Sequence, residues 1–112
     1  MLYKFCFYVP LDSMDAVKEA VFATGAGRIG DYDHCCWQIA GQGQFRPLAG
    51  ANPAIGEKGE LTFVEEVKVE MVCKAVLVRK AVQAMISAHP YEEPAYQIWP
   101  VMTVDDLPEH GI

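Results

Sequence analysis

Runs of basic side chains, by which proteins hold nucleic acid, are missing from this sequence of 112 residues. Nine lysines and arginines stand against fifteen aspartates and glutamates, which leaves a net charge of −6. Apolar runs long enough to cross a bilayer are missing as well, since the uncharged stretches contain glycine, glutamine and histidine. Nucleic acid and a membrane are therefore excluded as expected partners.

The beginning of the chain lacks the basic head, the long apolar run and the small-residue cleavage site of a signal peptide. We therefore expect a cytoplasmic protein, in which cysteines stay reduced. No two cysteines have the C-x-x-C spacing, so neither a zinc knuckle nor a redox dithiol is expected. The four cysteines are Cys6, Cys35, Cys36 and Cys73.

Nucleophiles suited to catalysis are also scarce. The only serines, Ser13 and Ser87, each fall at the end of a predicted helix, where capping or solvent accounts for them. The sequence leaves open a nucleophile–base pair formed by Cys6 or Cys73 with the distant His89, but nothing in the pattern favours such a pair. No catalytic residue is assigned, and an enzyme is the weakest of the functional hypotheses.

Apolar side chains are abundant and make up 52% of the residues. A chain of this length forms one domain, with a core that needs no disulfide or metal on grounds of size. Small domains have a large surface for their volume, so this many apolar side chains are hard to bury within one copy. We therefore expect a homodimer or homotrimer, or a surface that docks on another molecule.

Hydrophobic periodicity divides the chain into four strands and two helices. Alternation or a continuous apolar run predicts each strand, and apolar residues at i, i+3 and i+7 predict each helix. The predicted elements in chain order are a strand over Leu2–Val9, a helix from Met14 to Gly25, a strand over His34–Ile39, a loop over 41–59, a strand over Leu61–Cys73, a helix over Ala75–His89 and a strand over Ala95–Val101.

This order predicts an α+β fold of the ferredoxin-like βαββαβ type, with an antiparallel sheet and two helices on one face. The predicted domain spans residues 1–101, and the acidic tail over 102–112 is expected to be loose or to pair with a partner subunit. The first strand is apolar on both sides, although one face of such a sheet is open. Something has to cover that face.

The loop over 41–59 contains five of the nine glycines, and a loop of this length is usually functional or mobile. Phe45, Leu48 and Ile55 favour a loop folded against its own domain or a neighbour, because a free loop gains nothing from exposing them. Its glycines lack both the lysine and the spacing of a phosphate-binding loop. Arg46 is the candidate contact for an anion, and a salt bridge to an acidic residue is the alternative.

Two clusters place a histidine close to acidic side chains. In the first, His89, Glu92 and Glu93 are candidate ligands for a divalent cation, or candidates for an acid–base pair. A structural role is the alternative, because His89 lies in the last helical turn and prolines fix the loop after it. The second cluster covers Asp31–Cys36, where a soft metal is the functional hypothesis and core packing of one cysteine is favoured.

With these motifs in place, the chain resembles the insert domain of Nif-three-like proteins over about residues 2–101. The resemblance implies a fold similar to the CutA and PII proteins, which are ferredoxin-like and typically trimeric. The matching positions are Gly25–Gly30, Tyr32, Cys35, Gly41, Gly43, Phe45, Arg46, Pro47, Gly50, Asn52, Pro53, Gly56, His89, Pro90, Tyr91, Glu92, Glu93, Pro94 and Tyr96.

The resemblance also sets the functional expectations. Nif-three-like proteins carry a two-metal site in segments that flank the insert, so we expect a free-standing insert without their hydrolase or GTP cyclohydrolase activity. A non-catalytic regulatory or assembly module that requires no cofactor is the first hypothesis. The alternatives are a CutA-like protein that binds a divalent cation through His89 and Glu92, with Glu93 or Cys35 as a further ligand, and a PII-like nucleotide or anion sensor that uses Arg46. Both alternatives imply a ligand at a subunit boundary, near the loop over 41–59 and the motif over 89–96.

Overall fold

A four-stranded antiparallel sheet and two helices organise the computed structural model, which describes residues 1–110. The sheet order is β2-β3-β1-β4, which confirms the predicted ferredoxin-like βαββαβ fold. The strands are β1 (Leu2–Pro10), β2 (Trp37–Phe45), β3 (Thr62–Lys74) and β4 (Tyr96–Val101). The helices are α1 (Met14–Phe22) and α2 (Ala75–Ala88), and short 3-10 turns occupy Leu11–Ser13 and Val104–Asp106.

The hydrophobic core lies between one face of the sheet and the two helices. Alternate residues of β1 and β3 point to this face, because side chains in a strand change sides at every step. Apolar residues three and four apart supply the helical half of the core. The core side chains include Phe5, Phe7, Val9, Val17, Val21, Val67, Val69, Met71, Ala81, Val82 and Met85.

The opposite face of the sheet, called the open face below, combines exposed apolar side chains with charges. The register places Trp37, Ile39 and Trp99 on it, and the side chains of Trp37 and Ile39 are 73% and 60% exposed. Glu70 lies at its centre, 3.0 Å from the Lys68 ammonium and 3.8 Å from that of Lys4. Both helices pack on the other side of the sheet, so this face is available to a partner.

The second strand differs from the prediction. The structure places β2 at Trp37–Phe45 rather than at 34–39, so residues 41–45 belong to the sheet and the loop that follows covers 46–61. Gly41 pairs with Glu66 and Phe45 with Thr62, and this ladder with β3 overrides the low strand propensity of glycine. His34, predicted to begin the strand, instead has a positive φ of 55° in the preceding turn.

The described part of the acidic tail, 102–110, contains a short 3-10 turn. In the tail, the Thr103 and Asp106 side chains cap the short 3-10 turn reciprocally, so the part of the tail up to residue 110 contains local structure. The last two residues of the predicted tail, 111 and 112, lie outside the described residues.

No helix within residues 1–110 has the length and apolar character to span a membrane.

Candidate binding cleft

The loop over 46–61 and the segment over 89–95 meet at one end of the sheet, beside the open face. The Asn52 backbone N–H donates a 2.8 Å hydrogen bond to Glu92 Oε1, which joins residues 40 positions apart. Between the two segments lies a cleft of about 520 Å³. Its lining consists of Tyr8, Gln44, Phe45, Arg46, Pro47, Leu48, Gly50, Ala51, Pro53, Ala54, Ile55, Glu66, Tyr91, Glu92, Glu93 and Ala95.

The cleft contains Arg46, Glu92 and Glu93 from the set of candidate residues, whereas His89 does not line it. His89 is 7% exposed, and its Nε2–H donates to the Tyr8 carbonyl oxygen at 2.7 Å. Its Nδ1 accepts the Tyr91 backbone N–H at 3.1 Å. Burial lowers the pKa of His89, which fits a neutral ring with both nitrogens already bonded.

These contacts favour a structural position for His89, reached through the Tyr8 carbonyl of β1 rather than through the last turn of α2. It ties the end of α2 to β1, and it orients the segment that follows Pro90. Within residues 1–110, no three histidine, cysteine, aspartate or glutamate side chains come together in a group suited to a metal. A divalent cation at Glu92 and Glu93 therefore stays a prediction, with His89 engaged elsewhere.

Tyr91 links the cleft wall to the sheet. Its hydroxyl donates a 3.0 Å hydrogen bond to Glu66 Oε2, and its ring centre lies 4.8 Å from His89 and 6.1 Å from Phe45. Burial first and the hydrogen bond to Glu66 second raise the pKa of Tyr91 well above its usual range. The phenol therefore stays protonated and keeps the Glu66 carboxylate in place.

Gly43 provides the space that Glu66 needs. A Cβ at position 43 would overlap the Glu66 carboxylate, whereas a Cβ at Gly41 would meet nothing within 4 Å. Glu66 reaches diagonally across the ladder, since its direct partner on β2 is Gly41. The two neighbouring motif glycines thus have different roles, and one of them is needed for the contact with Tyr91.

The loop over 46–61 is folded onto itself as well as onto Glu92. The Gly59 N–H donates to the Pro47 carbonyl oxygen at 2.7 Å, and the Ala51 N–H donates to that of Leu48 at 3.0 Å. Two of its glycines, Gly56 and Gly59, have positive φ angles of 87° and 83°. The loop is therefore held by its own backbone bonds and by Glu92, but Leu48 is 70% exposed, so the expectation that its apolar side chains are covered is met only in part.

Comparison with known proteins places this arrangement among known folds. No protein-family model matches the chain. The chain is 50% identical over 98 residues to a protein of Mycobacterium tuberculosis named GTP cyclohydrolase 1 type 2 homolog, and 47% identical over 100 residues to its counterpart in Bacillus subtilis. These matches cover 88% and 89% of this chain but 26% and 27% of the relatives, so the chain spans about a quarter of their length.

A Bacillus cereus protein related to NIF3 superposes with a TM-score of 0.78 and 39% identity, over 91% of this chain and 26% of that one. The chain is similar to one segment of NIF3-related proteins. CutA from Xylella fastidiosa superposes with a TM-score of 0.66 over 91% of this chain and 85% of that one. Its identity of 18% shows a shared fold alone. The likeness to PII proteins stays a prediction.

The NIF3-like sequence motifs locate much of the cleft, but they leave out two of its walls. Tyr8 and Glu66 come from β1 and β3, whose sequences show a buried strand and a strand with one solvated face. Gly43 becomes a signal only once β2 is known to extend to Phe45, because a glycine inside a sheet often marks the close approach of another group. Without the strand register, that signal does not identify Glu66 as the group.

Proposed function

We propose that this chain is a non-catalytic assembly or regulatory module whose open face is covered by further copies of itself. The observation that supports this is the exposure of Trp37 and Ile39 beside each other on one strand of that face, with Trp99 on the far strand. A tryptophan buries about 150–250 Å² when it is covered, which is a large contribution for a domain of this size.

The charges on the open face fit a subunit contact. Lys4, Glu70 and Lys68 form a line of opposite charges across the centre of the sheet, so a second copy meets paired rather than single charges. Apolar side chains at the two edges then supply most of the contact. Copies of one chain form closed assemblies when the contacting patch complements itself or its neighbour, which makes a dimer or trimer the expected product.

The absence of catalysis is part of the proposal. His89 has both ring nitrogens bonded to backbone groups, so it is not free to act as a general base. Burial raises the pKa of the Cys6 and Cys73 thiols, which keeps them protonated at neutral pH and disfavours a thiolate nucleophile. These observations argue against the cysteine–histidine pair that the sequence left open.

Native mass spectrometry at micromolar concentration tests the assembly. We expect a homodimer or homotrimer for the natural chain and a folded monomer for Trp37→Glu, because a carboxylate in a covered apolar patch opposes association. Val76→Glu is the matched control, since Val76 is 87% exposed on α2 and should leave the assembly intact. A natural chain that stays monomeric, or a Trp37→Glu variant that assembles like Val76→Glu, contradicts the proposal.

Binding of a small ligand in the cleft is the second candidate function. The convergence of Arg46, Glu92 and Glu93 on one cleft favours it. An anion would contact Arg46, and a divalent cation would contact Glu92 and Glu93. Titrations with ATP and with Mn²⁺ separate these two forms, because Arg46→Ala should abolish the first and Glu93→Gln should weaken the second.

A further inference from the structure

The cleft has the size and walls of a small-molecule site. Its volume of about 520 Å³ falls within the range of roughly 300–1,000 Å³ that such sites occupy. Proline, alanine, leucine and isoleucine side chains of the loop over 46–61 form one wall, and Phe45 and Tyr91 form part of the rest. Sites of this kind take an apolar body and fix it with a few polar groups.

The balance of charge in the lining is negative. Glu66, Glu92 and Glu93 contribute three carboxylates, against a single guanidinium from Arg46. Arg46 is exposed, and among residues 1–110 it forms no ion pair with any of these carboxylates. An anion in the cleft would therefore meet one favourable charge and three unfavourable ones, whereas a cation meets the reverse.

Aromatic rings surround the same space. Tyr8, Phe45 and Tyr91 line the cleft, with the rings of Phe45 and Tyr91 centred 6.1 Å apart and inclined by 52°. Ring faces attract cations. The Phe45 and Tyr91 rings pack against each other, so a cation would contact this pair from the cleft rather than lie between the two rings. The Tyr91 hydroxyl is bonded to Glu66 and its ring packs on His89 at 4.8 Å, so a ligand can contact only the part of the ring that lines the cleft.

We propose that the cleft binds an organic ammonium cation that carries an apolar body. The proposal deepens the second candidate function and rests on it, but it does not depend on assembly through the open face. The ammonium group would lie among Glu93 and the aromatic rings, and the apolar body would contact the loop over 46–61. An inorganic divalent cation gains little from such walls, since it prefers several oxygen ligands and tightly held water.

The test is a titration of the full chain with three probes of matched shape, followed by amide chemical shifts. Benzyltrimethylammonium supplies the cation, benzyl alcohol is neutral, and phenylacetate supplies the anion. We expect saturable shifts confined to the loop over 46–61 and to residues around Phe45 and Tyr91. The ammonium probe should bind at least tenfold more tightly than phenylacetate.

Substitutions identify the groups responsible. Glu93→Gln should weaken binding of the ammonium probe about fivefold, because one nearby charge is removed in a solvated setting. Glu57→Gln is the matched control, since Glu57 lies in the same loop but outside the lining. Arg46→Ala should strengthen ammonium binding rather than abolish it.

Four results would overturn the proposal. Tighter binding of phenylacetate than of the ammonium probe, with loss in Arg46→Ala, overturns the ligand class but retains a small-ligand cleft. Saturable binding of Mn²⁺ alone has the same consequence. Shifts that map outside the cleft, or no saturation by any probe, overturn the cleft as a ligand site altogether.

Discussion

The segment around His89 and the turn around His34 have similar chemistry in the sequence but different positions in the structure. Each histidine is close in the chain to carboxylates. His89 is buried, and both of its ring nitrogens are bonded to backbone groups. His34 is exposed, with Nδ1 3.3 Å from Asp33 Oδ1 and Nε2 3.4 Å from Glu19 Oε2.

The difference shows that distant contacts, rather than near neighbours in the chain, decide what a histidine does. His89 reaches Tyr8, 81 residues away, and so holds two elements of the fold together. The hydrogen bond with Asp33 and then that with Glu19 raise the pKa of His34, and its contacts join only α1 and the turn. Residue types alone made both segments candidates for a metal.

The largest expected effect is a difference between the two histidines in how much each contributes to the free energy of unfolding. His89→Ala leaves the Tyr8 carbonyl oxygen and the Tyr91 N–H without their partners, so we expect a loss of about 2–3 kcal/mol in the free energy of unfolding. His34→Asn should change it very little, because the site is exposed and asparagine accepts the positive φ. Urea unfolding measures both variants, and equal losses would contradict the comparison.

A smaller effect tests how the His89 segment is fixed to the sheet. In Gly43→Ala the new methyl group displaces the Glu66 carboxylate, which ends its hydrogen bond with Tyr91. A hydrogen bond to a charged group contributes about 1.5–3 kcal/mol, so we expect a loss near the lower end of that range. Gly41→Ala is the matched control, because a Cβ there meets nothing within 4 Å.

A double-mutant cycle assigns the effect to this contact. If the loss in Gly43→Ala arises at Glu66, the same substitution in a Glu66→Ala background should cost much less. Equal costs in the two backgrounds would mean that the strand itself resists a side chain at position 43. Urea unfolding of the four variants provides the measurement.

The sequence was sufficient to predict most of the fold, because periodicity reports directly on burial. The exception, β2, contains Gly41 and Gly43, whose low strand propensity concealed a ladder that β3 imposes. The motifs around Arg46 and Glu92 were predicted as places for a ligand, and they meet at the cleft.

The positions of individual side chains in the cleft could not be predicted in the same way. Whether His89 turns toward the carboxylates or toward Tyr8 depends on how closely α2 approaches β1, which periodicity does not report. Glu66 joins the lining because the register sets it beside two glycines, and register is a property of paired strands. Roles that depend on contacts between distant elements therefore required the structure.

The smallest expected effect is in the pH dependence of stability, and here the two histidines act in opposite directions. The pKa of His89 is lowered in the folded protein, so the unfolded chain binds its proton more readily and stability falls as the pH drops below about 6.5. The pKa of His34 is raised, so its contribution is complete below about 6.5 and is lost as the pH rises through its folded value. Together these two groups favour a stability maximum near pH 6.5. Unfolding curves at pH 5.5, 6.5 and 8 measure these effects. The loss of stability at pH 5.5 should disappear in His89→Ala, and the loss at pH 8 should disappear in His34→Asn. If His89→Ala removes the loss at pH 8 instead, or His34→Asn the loss at pH 5.5, the assignment is reversed.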